Sequence, residues 1–302
     1  MESKAVRARF SGHRSAVYTL SAGRNGLFYS ADSEGWLVEW NLNTPEEGRL
    51  IARMPGAVYA MTLLEEEHML VASVNRDGFH FIDLRESKEV FALPSADMVW
   101  FRMKRMPDGK IMAGGSSGRL AFVDVDNRTI RYMQCGSSDL RSMDFLPSAG
   151  GILLGNSDAE LYFLNNQLEI TSVISRAHEK TVFGLSCYPE GKAFVSAGRD
   201  ARLSLYHQTQ EGKWEKTHSV AAHTAGIHDV RIHPEKKILA SAGMDKTIKI
   251  WDAESLRLLR VLDKSRHGGH SHSVNQLCWL AESDLLLSCS DDRSILAWDI
   301  YK

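Results

Sequence analysis

Apolar and polar positions alternate in short bursts along the chain, most regularly in AHTAGIHDVRIHPEKKILASAGMDKTIKIWD, from Ala222 to Asp252. Ile227, Val230 and Ile232 form one run, Ile238 to Ser241 a second, and Ile248, Ile250 and Trp251 a third. Pro234 to Lys237 punctuate the first gap and Met244 to Lys246 the second. β-branched runs of this length between turn residues predict three antiparallel strands in a meander. One meander buries a single face, so the pattern calls for further copies.

Three copies keep the same polar marks. They are His13, Ser30, Glu34 and Trp40; His178, Ser196, Asp200 and Tyr206; and His270, Ser288, Asp292 and Trp298, beside His223, Ser241, Asp245 and Trp251 in the reference stretch. The step from His to closing aromatic is 27 residues in the first copy and 28 in the others. Closing strands near Trp40, Asp83, Val123, Leu164, Tyr206, Trp251 and Trp298 divide the chain into seven units of about 43 residues. Units two to four keep the strand period, with Val58 and Met61, Trp100 and Met103, and Leu140 and Met143 opening them, but lack the His and the closing Trp. In unit two the third strand, Phe79 to Asp83, reads one residue short.

A period near 43 with Gly-His and Trp-Asp marks resembles the WD-repeat (WD40-type) β-propeller family, over essentially all 302 residues. The resemblance implies an all-β fold: one seven-bladed β-propeller of four-stranded antiparallel blades spanning residues 1–302. The last unit reaches Tyr301 at the close of its third strand, so the spare β-like segment Lys4 to Phe10 is expected to supply the outer strand. That pairing would close the ring and cover an exposed edge. The resemblance also makes each His, Ser, acidic and aromatic set a hydrogen-bonded tetrad within its blade, with Glu34 and Tyr206 as departures from Asp and Trp.

Composition narrows the function. Apolar content of 43% and charged content of 25% are ordinary for a globular chain. A net charge of −2 leaves no electrostatic footprint for nucleic acid or an anionic membrane. No apolar run reaches 18 residues, and MESKAVRARFSGHR has no apolar signal core, so the expected location is cytoplasmic. Cys135, Cys187, Cys278 and Cys289 lack metal-ligand spacing and read as thiols in a reducing compartment.

Ser, His and Asp recurring together suggest catalysis, but a nucleophile is singular and exposed. Four copies at a fixed period are structural, and no catalytic residue is expected. His267, His270 and His272 crowd an insertion that reads as a solvated loop rather than a metal site, because the tetrad already claims His270. Gly114 to Gly118 is no phosphate loop, lacking a following Lys, and reads as a turn between strands. Glu65 to Glu67 reads as a solvated hairpin tip. No cofactor is implied.

The remaining signal sits just after the first apolar residue of each innermost strand: Tyr18, Tyr59, Phe101, Arg141, Phe183, His228 and Asn275. Strand alternation turns this position toward the mouth of the central channel. The position before the turn Asp adds Arg76, Arg199 and Met244. Aromatics and Arg are the types that anchor interfaces. Either they form a partner-binding rim or some pack between blades. The expected function is a non-enzymatic scaffold or adaptor, a subunit of a complex, binding a protein or peptide on the narrow face, with no membrane and no small-molecule substrate. Two alternatives are a propeller enzyme, which would need carboxylates at the mouth, and a nucleic-acid-associated subunit using Arg76, Arg141 and Arg199.

Overall fold

The computed structural model describes residues 5–95, 97–147, 150–280 and 282–301. They form seven four-stranded antiparallel sheets, whose innermost strands contact one another in succession, the last returning to the first. Those innermost strands are Val17–Ala22, Val58–Leu64, Trp100–Arg105, Leu140–Leu146, Val182–Cys187, Ile227–Ile232 and Val274–Leu280. The result is a seven-bladed propeller.

The core is not a single mass at the centre. Buried apolar side chains gather in seven clusters among the described residues, one in each gap between adjacent blades. Between blades six and seven, for instance, Ile248 and Ile250 meet Val274, Leu277, Leu286 and Leu296. Each sheet therefore buries both faces only because it has two neighbours, which is why the chain repeats the unit until the ring closes.

Closure uses the N-terminal segment. Val6–Ser11 pairs antiparallel with Ser294–Trp298 as the outer strand of blade seven. Phe10 is fully buried, with its ring 4.9 Å from Phe28 and 5.7 Å from Trp40 of blade one. The Arg9 guanidinium donates to Ser294 Oγ and to Gly268 O, each at 2.9 Å. Lys4, the expected first residue of this strand, lies outside the described residues.

Two local expectations change. The third strand of blade two is Gly78–Asp83, of full length. Gly78 adopts φ 146 against the backbone of Leu93 to Ser95, a site with no room for a Cβ, and an apolar pattern starts one residue later. Gly114 and Gly115 end a strand, and only Ser116–Gly118 forms the turn. The insertion before blade seven folds as one helical turn, Lys264–His267, capped by the Asp263 side chain accepting from Arg266 N.

Candidate functional site at the channel mouth

In all seven innermost strands the pairing register slips at the residue that sequence alternation pointed to. Val17 pairs with Asp32 and Thr19 with Ala31, leaving Tyr18 without a partner. The same slip isolates Tyr59, Phe101, Arg141, Phe183, His228 and Asn275. Each is an extra residue in a β-bulge, and a bulge re-aims its side chain out of the regular pleat. The preceding residues, from Val17 to Val274, stay buried between blades.

The seven bulged side chains are half-buried and line one cavity of about 360 Å³. Six of them touch in an arc from Tyr18 to His228, and hydrogen bonds to backbone carbonyls complete the ring. Tyr18 and Tyr59 stack at 5.1 Å, and Tyr59 lies 6.2 Å from Phe101. The Arg141 guanidinium sits 3.8 Å above the Phe101 ring and 5.3 Å from Phe183, which meets His228 edge-on at 5.6 Å. His228 Nδ1–H donates to Val274 O at 3.1 Å, and Asn275 Nδ2 donates to Val17 O at 2.9 Å, returning to blade one. The rings therefore face the cavity as well as one another. The alternative of rings packed away between blades does not describe this arrangement.

Met244 joins the lining, whereas exposed Arg76 and Arg199 do not. Two groups were not anticipated. Arg102, one residue beyond the bulge, reaches across the channel from blade three and donates to Phe183 O at 3.4 Å and His228 O at 3.2 Å. It also borders a cavity of about 30 Å³ deeper in the channel, so its guanidinium separates the two spaces. Asp291 supplies a carboxylate that the seven-member ring lacks, and accepts from Asn275 Nδ2 at 2.8 Å. It precedes Asp292, the offset that yielded Met244 before Asp245; extending that offset to every blade finds it.

Burial shapes the charges. It lowers the Arg141 pKa to about 10, with the like charge of Arg102 adding to the effect. It lowers His228 as well, against the hydrogen bond to Val274 O, so the imidazole is held neutral with Nε2 as an acceptor. Burial raises Tyr18.

The tetrads lie elsewhere, inside the blades. In blade six Trp251 Nε1–H donates to Ser241 Oγ at 2.8 Å, Ser241 meets His223 Nε2 at 2.7 Å, and His223 Nδ1–H donates to Asp245 at 2.9 Å. Blade seven repeats this with Trp298, Ser288, His270 and Asp292. Blade five joins His178 to Ser196 and Asp200, but the Tyr206 hydroxyl donates to Ala177 O at 3.4 Å. Blade one needs a correction: the carboxylate on His13 is Asp32, at 2.7 Å, and not Glu34, whose side chain is exposed. Asp32 ends the second strand, at the position that is Gly198 in blade five and Gly243 in blade six, and also accepts the backbone N–H groups of Glu34 and Trp36, so the acid reaches His13 from the strand end rather than from the turn. Each tetrad Ser is fully buried, which leaves no room for a substrate at its Oγ. Among the described residues no three metal-ligating side chains cluster.

Blades two and four use other anchors. Buried His80 bridges Asp77 and Glu89 at 3.2 and 3.0 Å, and Asn156 Oδ1 accepts Asp158 N and Glu160 N. The Glu65 to Glu67 tip is not simply solvated, since Arg24 pairs with Glu65 and Arg105 with Glu66.

A family model described as WD domain, G-beta repeat matches residues 214–252 and 259–299, which make up most of the last two blades. The WD40 β-propeller domain of Doa1 superposes with a TM-score of 0.86, covering 99% of this chain and 98% of that one at 14% identity. The matched stretches are WD repeats, and the chain as a whole has the fold of a WD40 β-propeller. Actin-interacting protein 1 of Caenorhabditis elegans is 28% identical over 96% of this chain, and THO complex subunit 3 of Arabidopsis thaliana is 35% identical over 32%. The matches cover 47% and 27% of those two proteins, so the chain spans less than half the length of either. Among the described residues no helix is long and apolar enough to cross a membrane.

Proposed function

We propose that this propeller is a non-enzymatic scaffold or adaptor that docks a protein or peptide partner on the narrow face, over the cavity at the channel mouth. The observation that carries the reading is the arc of bulged Tyr, Phe, Arg and His side chains around one cavity. Well-packed aromatic and Arg groups are the usual hot-spot types. The names of the two relatives, one an interacting protein and one a complex subunit, agree with a role in assemblies. The four free thiols agree with a cytoplasmic, reducing setting.

The test is purification of the wild-type chain and a Tyr59→Ala/Phe101→Ala/Arg141→Ala variant from native lysate, after checking that both melt alike. Partners recovered by wild type and lost by the variant support the rim. Equal recovery by both removes it as the docking surface. A panel of oligonucleotides, titrated at two salt concentrations, would reveal a nucleic-acid role by steep salt dependence.

A further inference from the structure

Arg141 is unusual among the charged groups of the mouth. Its guanidinium is sandwiched between Phe101 and Phe183, and none of the described residues accepts a hydrogen bond from it or pairs with it. Stacking occupies the two faces of a planar guanidinium and leaves the N–H edge for another group. That edge borders the cavity. The other cavity charges are Arg102, whose N–H groups are turned to Phe183 O and His228 O, and Asp291, which is bonded by Asn275. With His228 neutral, the lining holds two guanidinium groups and one carboxylate, and from outside the lining Asp139 acts on Arg141 and Asp229 and Arg231 act on Arg102.

We infer that the Arg141 edge is the recognition point for the carboxylate of an Asp or Glu side chain in the partner segment, flanked by apolar residues that fill the space against Tyr18, Tyr59 and Phe183. This rests on the docking reading above and names the chemistry of the partner. A carboxylate accepts two parallel N–H bonds from one guanidinium, which fits the planar edge that Arg141 leaves free between Phe101 and Phe183. A dianionic phosphate would meet stronger repulsion from Asp291, which lines the same cavity. A nucleic-acid strand would need a positive groove that follows its backbone, whereas this is a closed cup floored by Arg102. At about 360 Å³ the cup is near the small end of ligand sites, suited to one or two side chains of a peptide. The folded chain has already desolvated Arg141, so an incoming carboxylate meets it in a low-dielectric setting without ordering a mobile side chain.

The experiment is selection of random heptapeptides displayed on phage against wild type, Arg141→Gln, Arg141→Lys and the rim triple variant, followed by fluorescence polarisation with the best wild-type peptide. The expected result is enrichment of Asp or Glu at one fixed position beside an apolar residue, lost in Arg141→Gln. Replacing that peptide acid by its amide should weaken binding to wild type about 10- to 100-fold, the range for a hydrogen bond to a charged group. This arm needs no protein variant and stands even if Arg141→Gln folds poorly. Arg141→Lys, which keeps the charge but loses the planar fork, should recover only part of the affinity. Peptides selected at the rim without an acidic preference, or an amide swap that costs nothing, overturn the carboxylate assignment and leave the docking reading intact. Peptides that bind wild type and the triple variant equally overturn both.

Discussion

Substituting Ser241 by Ala removes one oxygen that two buried neighbours depend on. Trp251 Nε1–H loses its acceptor and His223 Nε2 loses its partner, at sites 4% and 7% exposed. A stranded buried polar group costs about 1–3 kcal/mol, so the two together cost about 2–6 kcal/mol. The equivalent change in blade five, Ser196→Ala, strands His178 Nε2 but leaves the Tyr206 hydroxyl, which also meets Ser196, with Ala177 O as its acceptor. Its expected cost is about 1–3 kcal/mol. Blades one and seven serve as internal replicates of blade six, since Trp40 and Trp298 donate to Ser30 and Ser288 at the same 2.8 Å. Urea unfolding followed by circular dichroism gives the global effect. Hydrogen exchange at the amides of Ile248–Asp252 and Arg202–Gln208 gives the local one, which matters because stacked repeats can open blade by blade. The expected order is Ser30→Ala, Ser241→Ala and Ser288→Ala together, above Ser196→Ala. A cost for Ser196→Ala equal to that of Ser241→Ala would refute the claim that the indole N–H makes the difference.

Other outcomes follow from the same contacts. Deleting residues 1–10 should lower the melting temperature by many degrees and promote aggregation, because it strips the partner of Ser294–Trp298; unchanged melting in a thermal scan would sink the closure role. Phe10→Ala alone should cost about 3–5 kcal/mol in chemical unfolding, the range for deleting a buried aromatic ring. Acid should destabilise the chain in a narrow window. Burial alone would raise the Asp200 pKa, but the hydrogen bond and charge of His178 with two backbone N–H groups hold it at about 2, and Asp32, Asp245 and Asp292 are likewise lowered. A depressed carboxylate contributes stability that is fully present above its unfolded value near 4 and lost as pH falls toward 2, roughly 1–2 kcal/mol for Asp200 after allowing for solvent screening. Unfolding free energy that stays level from pH 5 to pH 2.5 would contradict this.

The repeat was legible because its marks recur at constant offsets, and the offset failed where the acid occupies a different position of the common turn. In blades five to seven the acid lies 22 residues after the His, as Asp200, Asp245 and Asp292 do. In blade one the turn is the same, Gly35 at φ 82 matching Ala201, Lys246 and Arg293, but Asp32 stands where blades five and six have Gly198 and Gly243, and it rather than Glu34 reaches His13. Spacing alone cannot tell two acids apart when they stand two residues from each other. The rim was found for an incomplete reason. Alternation pointed to Tyr18 and its counterparts, but the side chains reach the mouth because each is the unpaired residue of a bulge. Arg102 was beyond sequence reasoning, since its partners at Phe183 and His228 lie two and three blades away and meet it only once the ring has closed.

The bulges also explain how a repeated scaffold coexists with a varied rim in one chain. Val17, Val58, Leu140, Val182, Ile227 and Val274 are all fully buried between blades, and Trp100 nearly so. The next residue in each strand can be Tyr, Phe, Arg, His or Asn because it belongs to neither the ladder nor the inter-blade core. Side-chain identity at the mouth is thereby uncoupled from the packing that holds the ring. Blades two to four illustrate the separation: they have lost the tetrad, yet Tyr59, Phe101 and Arg141 supply the stacked arc of the cavity. Substitutions at these positions probe binding with little disturbance of folding, whereas the same substitutions one residue earlier would open a cavity between blades.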